Sequence, residues 1–85
     1  MISQTAEYAL RAVLMLAARD DVPAGTAAIA ESTRVPAGYL SKVLQGLARH
    51  GLVVSSSGRR GGFRLARKAS EISVLHVIQA VAPLA

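Results

Sequence analysis

Cysteine is absent from these 85 residues. Without it the chain has no disulfide and no thiolate metal site of its own. The two histidines, His50 and His76, are too few and too far apart in sequence to make a metal centre. Acid is also scarce: the carboxylates are Glu7, Asp20, Asp21, Glu31 and Glu71. With no nucleophile and base at a recognisable spacing, an enzyme is not expected. No apolar run approaches the ~18 residues that would span a bilayer. The first residues lack the charged start and small-residue cleavage site of a secretory signal. A cytoplasmic protein is the expectation.

The most telling absence is local. Between Ser32 and Ser70 there is no Asp or Glu, while eight basic residues stand there: Arg34, Lys42, Arg49, Arg59, Arg60, Arg64, Arg67 and Lys68. The flanks are mildly acidic, −2 before this stretch and −1 after it, within an overall +5. Charge gathered in one half is either a solvated basic surface or the footprint of a polyanion. Apolar content is high, at 52% with a mean hydropathy of +0.38. A chain this short forms one domain and buries only roughly 60–65% of its unfolded surface. Some of its apolar surface should therefore be covered by a partner, a second copy being the expected one.

Apolar periodicity predicts a helix from Ser3 to Arg19, capped by Ser3 or Thr5, with Ala6, Ala9, Leu10, Val13 and Ala17 inward. Leu14, Met15 and Ala18 widen that stripe. A loop follows through Gly25. Thr26 is the expected cap of a short helix, Ala27 to Ser32, with Ile29 and Ala30 inward. After a tight turn, Thr33-Arg34-Val35, Pro36 opens a helix over Ala37–Arg49. Leu40, Val43, Leu44 and Leu47 are its apolar face, and Gly51 suits a left-handed end. Residues 52–57 and 63–66, around Gly58-Arg59-Arg60-Gly61-Gly62, read as a β-hairpin with Phe63 and Leu65 inward and Arg64 outward. Those glycines do not have phosphate-loop spacing. Ser73 caps a last helix that Pro83 ends. Its apolar Val74, Leu75, Val77, Ile78 and Val81 are too many for one narrow face. His76 is read as a packed or solvent-facing residue.

Helix, helix-turn-helix, hairpin, helix is the order of a winged helix-turn-helix, mainly α with a small β-hairpin. The helical pair alone does not specify DNA. Joined to the charge pattern, it suits double-stranded DNA, because the major groove admits one helix whose first turns meet base edges. Ala37 and Gly38 are short enough for close approach, and Ser41, Lys42 and Gln45 are the candidates for base and phosphate contacts. Tyr39 either packs or reaches a phosphate. Arg59 and Arg60, at the hairpin tip, would enter the minor groove or lie on its backbone. Arg64, Arg67 and Lys68 would hold phosphates, with Arg49 at the end of the long helix and Thr26 at the start of the short one as further candidates. A winged helix used for protein contact is the competing reading. The salt dependence of DNA binding separates the two.

The chain also resembles the Rrf2 family of bacterial transcription regulators, which includes iron–sulfur-cluster and nitric-oxide-responsive repressors. The resemblance lies in Tyr8-Ala9-Leu10-Arg11-Ala12, Ile29-Ala30, Val35-Pro36, Tyr39-Leu40, Val43-Leu44, Leu47 and Gly51-Leu52-Val53. It continues through Gly58, Gly61-Gly62-Phe63 and Leu65-Ala66, then Ile72, Val74, Val77-Ile78 and Ala80-Val81. It implies one winged helix-turn-helix domain over residues 1–85, the N-terminal DNA-binding part of a longer protein. It further implies a repressor acting as a homodimer on double-stranded DNA. The helix beginning near Pro36 would read the major groove, and the wing, 53–66, would lie in the minor groove or on the backbone through Gly58 to Gly62. Ser3, Thr5 and Tyr8 would add backbone contacts. Many members carry arginine where this chain has Ser57, which Arg59 and Arg60 would offset. Many also bind an iron–sulfur cluster through cysteines beyond the last helix. None of those cysteines is in this chain, so no cofactor is expected within it.

Overall fold

The computed structural model describes residues 2–59 and 61–84. Among the described residues, three α-helices and one hairpin are arranged around a first helix. The elements are α1 (Gln4–Ala17), α2 (Thr26–Thr33), α3 (Ala37–Arg49), β1 (Val53–Ser56), β2 (Gly62–Leu65) and α4 (Val74–Val81), with single 3-10 turns at Ala69–Glu71 and Ala82–Leu84. This is the winged helix-turn-helix that the sequence led us to expect. α1 touches α2, α3, α4 and β2, so it forms the centre of the core.

The Ser3 hydroxyl caps α1 by accepting from the Ala6 N–H at 3.1 Å. Thr5 does not cap; it is the second residue of the helix and is buried. The buried stripe of α1 is Thr5, Ala6, Ala9, Ala12, Val13 and Leu16. Leu10 and Ala17, expected inward, are half-buried, and Leu14 is 69% exposed. The face is turned because α1 is wrapped by three helices and a strand, and its small Ala9 and Ala12 are fully buried among them.

α2 begins one residue earlier than expected. Gly25, in extended backbone, takes the cap position without a side-chain bond, and Thr26 is the first helical residue. The Gly25 carbonyl receives the Ile29 N–H at 3.0 Å, which closes the first turn without help from a hydroxyl. Ile29 is fully buried and Ala30 half-buried. α2 ends at Arg34, in a left-handed conformation with φ 60°. Pro36 then caps α3, where its missing N–H costs nothing, and its carbonyl accepts from Leu40 at 2.8 Å.

α3 has the expected bounds and the expected face: Leu40, Val43, Leu44 and Leu47 are fully buried. Its end is a Schellman motif. Leu52 N–H bonds to Leu47 O and Gly51 N–H to Ala48 O, both at 3.0 Å, with Gly51 at φ 72°. The buried Leu52 then packs at the same corner as Leu47 and aims the chain into β1. Gly46 is also buried. A Cβ there would stand 3.2 Å from the Ala80 carbonyl, so this glycine lets α4 cross α3 closely.

β1 and β2 pair antiparallel, with Val53 opposite Leu65 and Ser56 opposite Gly62. Leu65 is buried, Phe63 half-buried and Arg64 exposed, so the expected alternation holds. The segment before α2, read from sequence as loop alone, also supplies a strand-like residue. Ala24 exchanges two backbone bonds with Phe63, at 2.9 and 2.8 Å. That bridge roots the wing against the body of the domain. Ser73 caps α4 as expected, in a capping box where the His76 ring Nδ1 accepts from the Ser73 N–H. Val77, Ala80 and Val81 are buried, while Val74 and Leu75 face outward at 56% and 60% exposure.

Candidate nucleic-acid interface

α3 divides cleanly. Opposite its leucine face, Ala37, Gly38, Ser41, Lys42, Gln45 and Arg49 are all exposed. The 3.6-residue turn stacks Gly38, Ser41, Lys42, Gln45 and Arg49 along one side. This row carries hydrogen-bonding and cationic groups with no carboxylate. Ser41 spends its hydroxyl proton locally, on the Ala37 carbonyl at 3.3 Å, and keeps its lone pairs outward. Pro36, at the cap, is exposed as well.

The wing projects from the same half of the chain. Ser57, Gly58 and Arg59 are exposed and Gly61 is half-buried. Gly58 has φ 99°, and its carbonyl accepts from Gly61 N–H at 3.0 Å to close the tip. Arg60 lies outside the described residues. Arg64, on the outward face of β2, is exposed, as are Arg67 and Lys68 beyond it. Among the described residues the ion pair is Glu7 with Arg11, at 2.7 Å, and none of the cations between Ser32 and Ser70 meets a carboxylate. Lys42, Arg49 and Arg59 thus face solvent with no paired carboxylate, which is the condition for counterion release on a polyphosphate.

Several of the expected contact residues have partners within the domain: Ser3 caps α1, Ser41 bonds within α3, Arg64 donates to the Leu65 carbonyl at 3.5 Å, and Thr5, Tyr8 and Tyr39 meet one another. Thr5 is buried and its hydroxyl is hydrogen-bonded to that of Tyr39. The Tyr39 ring meets Tyr8 edge-on, with centroids 5.8 Å apart and planes at 72°. The Arg11 guanidinium stands 5.5 Å from the Tyr8 ring centroid. Arg11 also donates to the Thr33 carbonyl, at 3.2 Å, while its other branch holds Glu7. This chain of contacts ties α1 to the end of α2 and the start of α3. Sequence reasoning missed it, although Glu7 and Arg11 at i, i+4 gave a local hint. Ser3 is exposed beside it, and Thr26 is half-buried at the start of α2.

An open cleft of about 470 Å³ lies between the turn after α1 and the exit from the wing. Asp20 and Asp21 line one part of it, and Arg64, Arg67 and Lys68 another.

A family model described as Rrf2, iron-dependent transcriptional regulator, matches residues 2–84. The HTH-type transcriptional regulator NsrR of Oceanobacillus iheyensis is 38% identical over 69 residues, covering 80% of this chain and 47% of that protein. Among solved structures, T. potens IscR superposes with a TM-score of 0.89 at 30% identity, over 95% of this chain and 60% of that one. The B. subtilis protein CymR, described as the global cysteine regulator, gives 0.88 at 27% identity, over 94% and 63%. The chain spans about half the length of the curated relatives it matches. The residues present do not fit the iron in the family description. There is no cysteine, and among the described residues no three of His, Cys, Asp and Glu gather where a metal could bind. No helix among them is long and apolar enough to cross a membrane.

Proposed function

This chain belongs to the Rrf2 family of transcriptional regulators, and from that premise we propose that it is the DNA-binding part of one, acting as a repressor in the bacterial cytoplasm. α3 lies in the major groove of a duplex, with Ser41 and Gln45 at base edges and Lys42 and Arg49 on phosphates. The wing lies along the neighbouring minor groove or its backbone through Arg59 and Arg64. The observation that carries this reading is the carboxylate-free exposed face of α3 beside a carboxylate-free wing. Occupying both grooves would exclude other proteins from the same duplex, which suits repression. The charge pattern and the regulator names of its relatives speak against an enzyme.

Two copies on a two-fold site suit this mode of binding, since paired helices read half-sites one helical turn apart. Exposed Leu14, Val74 and Leu75 supply apolar surface that a second copy would cover. An iron–sulfur cluster, if the whole protein carries one, would be held by cysteines outside these 85 residues.

Selection of duplexes from a random-sequence pool tests the assignment of α3. The unsubstituted protein should enrich one sequence. Gln45→Ala should change the preferred base at one position, losing ~1–3 kcal/mol on the original site. Uniform weakening on all duplexes would remove Gln45 from base readout.

A further inference from the structure

The leucine face of α3 anchors the helix without aiming it. Leu40, Val43, Leu44 and Leu47 are fully buried, but apolar contact is not directional. Close packing resists a large roll of such a helix, but a rotation of a few degrees keeps those side chains buried and still carries Ser41 and Gln45 off their targets. Directional bonds are what fix a rotation. Among the described residues, the one side-chain hydrogen bond that reaches α3 from another element is in its first turn, where Tyr39 meets α1, and a cluster of polar contacts between α1 and α2 lies behind it. Among the described residues the buried polar side chains are Thr5 and Thr33, and both belong to this cluster. The Thr5 hydroxyl meets the Tyr39 hydroxyl. The Thr33 hydroxyl donates to Ile29 O at 2.6 Å, and the Thr33 carbonyl accepts from Arg11. Tyr8 lies between Arg11 and Tyr39, in contact with both.

We infer that Tyr39 and Thr5 are positioning residues that set the rotation of α3, and through it the sequence preference of the DNA reading above, on which this inference rests. They do so through each other, with Tyr8 and Arg11 behind them, and not by touching phosphate. Thr5 is only 6% exposed, so its hydroxyl has little room for a second partner. The Tyr39 hydroxyl, bound to it, is held against α1.

The test compares Tyr39→Phe, Thr5→Val, the double variant and Thr5→Ser. Each is measured on a duplex selected by the unsubstituted protein and on the unselected pool. The inference expects Tyr39→Phe and Thr5→Val each to lose about tenfold on the selected duplex, as one misplaced base contact would. On the unselected pool each should stay within about twofold. The double variant should be no worse than either single one, since both remove the same link. Thr5→Ser, which keeps the hydroxyl, should retain the preference. Equal losses on both DNAs, or additive losses in the double variant, would overturn the inference and make Tyr39 a backbone contact. Amide hydrogen exchange at Leu40, whose N–H closes the first turn of α3 on the Pro36 carbonyl, and at the residues after it gives a readout without DNA: faster exchange in Tyr39→Phe and Thr5→Val supports the link, and unchanged exchange in both overturns it. If no duplex is selected at all, the DNA reading has failed and the exchange measurement still judges the link.

Discussion

Asp20 and Asp21 hold left-handed backbone conformations, at φ 55° and 70°. The Val22 N–H closes back on the Arg19 carbonyl at 3.1 Å, so the two aspartates form the corners of a type I′ turn. The Arg19 side chain pins the turn by donating to the carbonyls of Val22 and Pro23, both at 3.1 Å. Asp tolerates this region better than most residues, but glycine suits it better still. Asp21→Gly should therefore raise stability by ~0.5–1 kcal/mol, read as a higher denaturant midpoint with an unchanged slope. A lower midpoint would mean that the Asp21 side chain contributes more than its backbone costs. A residue of this kind is partly legible in a sequence. Asp20-Asp21 followed by Val22-Pro23 marks a turn, whereas its handedness depends on where α1 stops. The hydroxyl pair of Thr5 and Tyr39 was not legible. The two lie 34 positions apart, and only the packing of α3 on α1 joins them.

Among the elements, α3 was readable to the residue because Pro36 and Gly51 punctuate it and its leucines recur at helical spacing between polar residues. α1 was readable as a helix but not in its rotation. Gln4, Glu7 and Arg11 mark the exposed side of its first two turns, but from Ala12 to Ala18 every residue is Ala, Val, Leu or Met, so nothing polar signals that Leu14 faces outward. The wing was readable as a hairpin, and its anchor was not, because Ala24 is a single bridging residue with no pattern around it. That anchor explains Gly62. It has φ 144°, and a Cβ there would fall 2.5 Å from the Ala24 backbone. Gly62→Ala should cost at least ~2 kcal/mol through strain and the forced parting of the Ala24–Phe63 bridge. The loss should appear in thermal unfolding and as rapid exchange of the Phe63 amide. Retained protection at Phe63 would show that the bridge survives the added Cβ, because the Phe63 N–H donates to the Ala24 carbonyl.

At the scale of the whole molecule, the domain exposes two kinds of surface residue. The row from Gly38 to Arg49 and the wing are basic and free of carboxylates. Ile2, Leu14, Val22, Val74 and Leu75 are large apolar residues left exposed elsewhere in the domain. A small domain of this hydropathy is thus arranged for two kinds of contact at once, with a polyanion and with an apolar partner. The charge separation was fully legible, being a matter of counting residues between Ser32 and Ser70. Where that charge faces needed the fold.

The central claim is that these unpaired cations track phosphates. It is tested most directly by fluorescence anisotropy of a mixed-sequence duplex titrated with this chain, from about 50 mM to about 200 mM salt. Engagement of Lys42, Arg49, Arg59 and Arg64 with four phosphates predicts a log–log slope near −3.5, at roughly −0.9 per phosphate. Substituting alanine for both Arg59 and Arg64 should bring it near −2. Binding that does not change with salt, or a slope that the double substitution leaves untouched, would contradict the account.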